Sequence, residues 1–209
     1  MTTGDVGALF ATRSAGRDVD WHKRFDAVVP AAPMRLGERF TGPDGFPYVA
    51  LHRSGTGSSV ADRVDACLAD GTGIVVYGPT GEVEWVFNYG GVWSYRAFGT
   101  FDAWPPDAEP RPGTSRQIFT GAPSDAMVPP YVRPVLRAAL ERLGVEPLVM
   151  LVQEPDAVPP MSLMFPVYAD AFPDHASYDY VMQGLVWYLP RHYGLLGGVR
   201  SFADDFVPL

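Results

Sequence analysis

The chain has 209 residues, 47% of them hydrophobic, and a formal net charge of −8. That length holds one large domain or two small ones, and the apolar fraction is enough for a packed core. Residues 1–145 hold 16 acids and 14 bases (−2) and residues 146–209 hold 8 acids and 2 bases (−6), so the C-terminal third repels a phosphate backbone or an anionic membrane surface and argues against both as partners.

Residues Met1–Gly16 lack a basic start followed by an apolar run, the pattern of a secretory signal. No uninterrupted apolar stretch approaches the roughly 20 residues that span a bilayer. A single cysteine, Cys67, rules out an intramolecular disulfide. The expectation is a cytoplasmic protein, and the preference for Arg over a lone Lys23 fits a GC-rich bacterial genome. His22 stands in a polar, helix-like start beside Trp21 and Lys23. A strand is predicted over Tyr48–Leu51, with His52 at its end.

From Ser58 an order of helix, strand, strand, helix begins. Ser58 or Ser59 can cap a helix, and Asp62 places negative charge in its first turn. Val60, Val64, Cys67 and Leu68 share one helical face, and Gly71 suits the left-handed position after the end. Ile74–Tyr77 is a β-branched run, Gly78-Pro79-Thr80-Gly81 a tight connection, and Val83, Trp85, Phe87 and Tyr89 alternate with more polar residues. A hairpin over about residues 73–89 follows, and then a short helix over Val92–Phe98.

The passage Trp104–Pro134 is rich in proline and contains Arg116–Thr120, which can form an extra strand. The order then recurs. Val132, Val135, Leu136, Ala139, Leu140 and Leu143 form a helical stripe within about residues 131–143, with Pro134 in the first turn and Gly144 at the end. Leu148–Val152 and Met161–Val167 pair as a second hairpin, over about residues 147–167, which Pro166 confines to an edge or cuts short. Tyr178, Val181, Met182, Leu185, Val186 and Leu189 form the stripe of a helix at about residues 176–189, capped by Asp174 or Ser177. The pair Asp204-Asp205 reads as solvated charge in a loose tail.

The fold class is therefore α+β, with a predominantly antiparallel sheet built from hairpins and covered by amphipathic helices. The repeated order is either an αββα pseudo-repeat or, more simply, one irregular sheet. A single domain over 1–209 is the first reading. Two halves, 1–104 and 131–209, are the second.

Few catalytic patterns are present. Cys67 lies on an apolar face near the negative end of its helix, the wrong place for an activated thiolate. His22, His52, His175 and His192 have no metal-ligand spacing, and no metal or cofactor is expected. Gly55-Thr56-Gly57-Ser58-Ser59 lacks the Lys of a phosphate-binding loop, and Gly71 and Gly73 precede a strand rather than a helix. What remains is an aromatic cluster. Trp85 and Phe87 are expected in the core, whereas Trp93, Tyr95 and Trp104 lie beside Gly and Pro and are candidates for a binding surface. The functional expectation is a non-enzymatic interaction protein, adaptor- or immunity-like, that offers an aromatic patch and an acidic surface to a protein partner. The alternative is a small-molecule-binding protein or enzyme with a pocket between helices and sheet, using His52 or His175 as acid–base.

Overall fold

The computed structural model describes residues 3–53, 56–101, 111–114 and 117–209, and their side chains apart from those of residues 3–5 and 14. By its contacts the chain divides into two units, Met1–Pro106 and Asp107–Leu209. The class is α+β, with two mixed and mostly antiparallel sheets.

In the first unit, helices α1 (Thr3–Ala11) and α2 (Val19–Val28) precede strands β1 (Arg35–Thr41) and β2 (Pro47–His52). Helix α3 (Val64–Asp70), strands β3 (Gly73–Tyr77) and β4 (Val83–Phe87) and helix α4 (Tyr89–Phe98) complete it. The sheet order is β1-β2-β3-β4. The β3–β4 hairpin is antiparallel, as its sequence requires, but β2 and β3 are parallel and are joined through α3. That parallel pair departs from the expectation of hairpins alone, because a strand–helix–strand order returns the chain in the same direction.

Local chemistry explains the boundaries. Ser59 and Asp62 cap each other: the Asp62 N–H donates to Ser59 Oγ at 3.2 Å, and the Ser59 N–H donates to Asp62 Oδ2 at 2.8 Å. The first turn after them is a 3-10 segment, Ala61–Arg63, so the α-helix starts later than its apolar stripe. Gly71 ends α3 at φ 68°, in the left-handed region. Asn88 starts α4 by accepting the Gly91 N–H at 2.8 Å. A register shift between Val76 and Tyr77 breaks the alternation of β4, so Val83 pairs with Tyr77 and is 57% exposed instead of joining Trp85 and Phe87.

The second unit holds β5 (Phe119–Gly121), α5 (Arg133–Arg142), β6 (Leu148–Gln153), β7 (Met161–Met164), α6 (His175–Tyr188), β8 (Gly194–Leu196) and β9 (Val207–Pro208). The order is β5-β6-β7-β8, and β9 also pairs with β6. The β6–β7 hairpin is antiparallel, and β7 ends two residues before Pro166. Asp174 caps α6 by accepting the Ser177 N–H at 2.8 Å. The tail around Asp204-Asp205 is ordered, contrary to the sequence reading: it forms a 3-10 segment, Arg200–Asp205, that leads into β9. Phe202 and Phe206 on this tail pack against Met150, Val152 and Met164, and that apolar burial anchors it.

No described helix is long and apolar enough to cross a membrane.

Candidate functional site

The aromatic residues of the first unit mostly fill its interior. Phe25 lies 4.8 Å from Trp85 and 4.7 Å from Trp21, and Phe87 lies 4.3 Å from Phe101. Arg17 caps this cluster, its guanidinium 4.5 Å from the Trp85 ring. Trp93, expected at a binding surface, is 1% exposed. Its place on α4 explains this, because α4 packs on β3, β4 and α3. Tyr95 is half-buried, and its ring stacks on Phe101 at 4.5 Å. Trp104 lies outside the described residues.

The two histidines named as acid–base candidates stand in different units. His52 ends β2, half-buried, stacked on Tyr77 at 5.3 Å. His175 is exposed at the start of α6, with Nε2 3.4 Å from Asp179. Cys67 is 3% exposed, and burial pushes its thiol above its ordinary range. Among the described residues no three His, Cys, Asp or Glu side chains converge in the manner of a metal site.

A concavity is formed within the second unit. It encloses about 490 Å³ between the end of α5, the start of β6, the segment after β7 and the C-terminal 3-10 segment. Its first wall exists because α5 ends in a left-handed turn. Gly144 sits at φ 73°, its N–H donates to the Glu141 carbonyl, and the Val145 N–H reaches back to the Leu140 carbonyl at 2.9 Å. Leu143, Val145 and Glu146 are thereby turned toward the cavity, and Leu148 continues the wall as β6 begins.

The opposite wall is the segment Pro166–Phe172. The Gly198 N–H donates to the Val167 carbonyl at 2.9 Å and holds this segment against the chain after β8. A side chain at 198 would start 2.9 Å from the Tyr168 ring, so only glycine lets the two strands of chain approach this closely. Arg200 then folds over Tyr168, 4.0 Å from the ring centroid, while Nε and Nη2 donate to Asp170 at 3.3 and 3.0 Å. The lining is thus apolar in Leu143, Val145, Leu148 and Val167, aromatic in Tyr168 and Phe172, and charged in Glu146 and Arg200.

Of the residues singled out from sequence, the four that are described, His52, Trp93, Tyr95 and His175, do not line this cavity. Glu146, Tyr168, Phe172 and Arg200 escaped sequence reasoning because they stand in connections, outside any periodic pattern. The only local signals were Gly144, read as a helix end, and the Gly197-Gly198 pair, which no pattern singled out.

A smaller cavity of about 110 Å³ in the first unit is lined by Arg39, Arg63, Asp70, Cys67 and Thr72, with Arg39 and Asp70 ion-paired. No protein-family model, characterised protein or solved structure matches the chain.

Proposed function

We propose that the chain is a binding protein whose ligand is a small organic molecule held by the second unit. The observation that supports this reading is the cavity of about 490 Å³ between α5, β6 and the C-terminal 3-10 segment. Its size falls in the range of small-molecule sites, about 300–1,000 Å³, and aliphatic, aromatic and charged side chains share its lining. The test is ligand-observed NMR with a library of fragments, repeated on Ala203→Trp. Ala203 lines the cavity and is exposed, so an indole there fills the space without entering the core. Fragments that bind the wild type should lose binding to the variant. Identical binding to both proteins would mean that the cavity is not the site.

A second reading, an adaptor- or immunity-like protein of the bacterial cytoplasm that engages a basic partner, is favoured by β5. This strand is an edge of its sheet among the described residues, and Phe119 at its start and Ile118 just before it are 54% and 53% exposed. An open edge with apolar side chains can accept a strand from another chain. Deuterium exchange at β5 in the presence of a co-purifying polypeptide tests it. Protection of these amides supports the reading, and unchanged exchange refutes it.

A further inference from the structure

We infer that the ligand of the cavity between α5, β6 and the C-terminal 3-10 segment is an amphipathic organic amine, an apolar body carrying one protonated nitrogen. This rests on the small-molecule reading of that cavity and adds the chemical class. Two charged side chains line the space, Glu146 and Arg200. They are not equivalent. Arg200 is already engaged on its edge and on its face: Asp170 accepts from Nε and Nη2, and Tyr168 lies under the guanidinium plane at 4.0 Å. Asp170 already balances the Arg200 charge, so an incoming anion meets a neutral pair and not a free cation. Glu146 has neither an ion pair nor a side-chain hydrogen bond among the described residues.

The charges of the cavity therefore leave one carboxylate uncompensated. The wider field has the same sign, because residues 146–209 carry 8 acids against 2 bases. The remaining lining takes the rest of such a molecule. Leu143, Val145 and Leu148 offer aliphatic surface next to Glu146, and the Phe172 ring adds an aromatic face, which attracts a cation by its quadrupole. A protonated nitrogen at Glu146 with its hydrocarbon body against these residues satisfies both parts of the site. A neutral molecule would satisfy only the apolar part.

The test is a matched series of hexylamine, hexanol and hexanoate, titrated into the isotope-labelled full chain near neutral pH. The amides of Gly144 and Ala203 report on the cavity, since both residues line it. The expected result is shifts with hexylamine at roughly fivefold lower concentration than with hexanol, with hexanoate weakest, as suits one exposed charge pair. The preference should shrink as salt is raised. It should vanish in Glu146→Gln and persist in Glu154→Gln, which removes the same net charge from a residue outside the lining. Equal or tighter binding of hexanol or hexanoate at these amides would overturn the amine assignment and leave the cavity as a binding site. Failure of all three while neutral fragments shift the same amides would also overturn it. Silence of these amides to every compound would overturn the cavity reading itself.

Discussion

The two units use their large side chains differently. In the first, Trp21, Phe25, Trp85, Phe87 and Phe101 touch one another in a continuous aromatic interior. In the second, Met150, Leu163, Val149 and Leu185 are nearly inaccessible, as are Phe165 and Tyr188, whereas the aromatic rings of Tyr168 and Phe172 border a cavity. The two rings at the cavity stand on the connection between β7 and α6.

The strongest way to break this contrast is Trp93→Ala. Trp93 is 1% exposed on a helix packed against two strands and another helix, so truncation leaves a hole in a filled interior. Loss of a buried Trp costs about 3–5 kcal/mol, and chemical denaturation should show it as a lower midpoint. A stability within about 0.5 kcal/mol of wild type, the range of ordinary surface changes, would mean that Trp93 is not part of the interior. Ala203→Trp is the counterpart in the second unit: an added ring in open space should leave the midpoint nearly unchanged.

A smaller effect is expected from the ion pair that crosses the first sheet. Arg53 Nε and Nη2 donate to the two carboxylate oxygens of Glu84 at 2.8 and 2.7 Å, and the side chains are only 14% and 11% exposed. The hydrogen bonds to Glu84 raise the Arg53 pKa further above its already high value. Helix α1 closes over this pair, since a methyl group on Gly7 would start 2.9 Å from Arg53 Nη2. Glu84→Gln keeps the shape and one acceptor but removes the charge, and should cost about 2 kcal/mol by leaving a largely covered guanidinium under-satisfied. The double variant Glu84→Gln with Arg53→Met should recover part of that loss. If it does not, the pair acts through packing and not through charge.

Much of the local structure was legible in the sequence. The stripe that includes Leu136, Ala139 and Leu140 is buried as its spacing requires, and Gly71 and Gly144 both stop helices in the left-handed region. Both hairpins stand where alternation and turn residues placed them. The misses have physical causes. Strand β1 is a bulged edge with an exposed pattern, so it carries no apolar alternation to read. The parallel pairing of β2 with β3 depends on partners 25 residues apart, which periodicity does not report, although the strand–helix–strand order was present. Trp93 was assigned to a surface because it stands beside glycines, whereas Gly90 and Gly91 lie inside α4 and Gly90, Val92 and Trp93 are buried there. The cavity was invisible for a related reason. Glu146, Tyr168 and Arg200 come together only because a helix cap, a turn after β7 and the C-terminal segment meet.

The gentlest break leaves every side chain in place and changes only pH. Tyr193 of the second unit is 8% exposed, and its hydroxyl donates to the Met127 carbonyl at 3.0 Å. Burial, reinforced by the neighbouring Tyr131, pushes its pKa up to about 12. In the unfolded chain the phenol ionises near pH 10. Between these values the unfolded state has lost a proton that the folded state keeps, so raising the pH favours unfolding. The stabilising contribution is therefore complete below about pH 10 and disappears as the pH rises toward about 12. Denaturation midpoints should hold steady to about pH 9 and then fall, and Tyr193→Phe should flatten that fall while leaving the rest of the profile unchanged. An identical fall in the Phe variant would assign the alkaline loss to other groups.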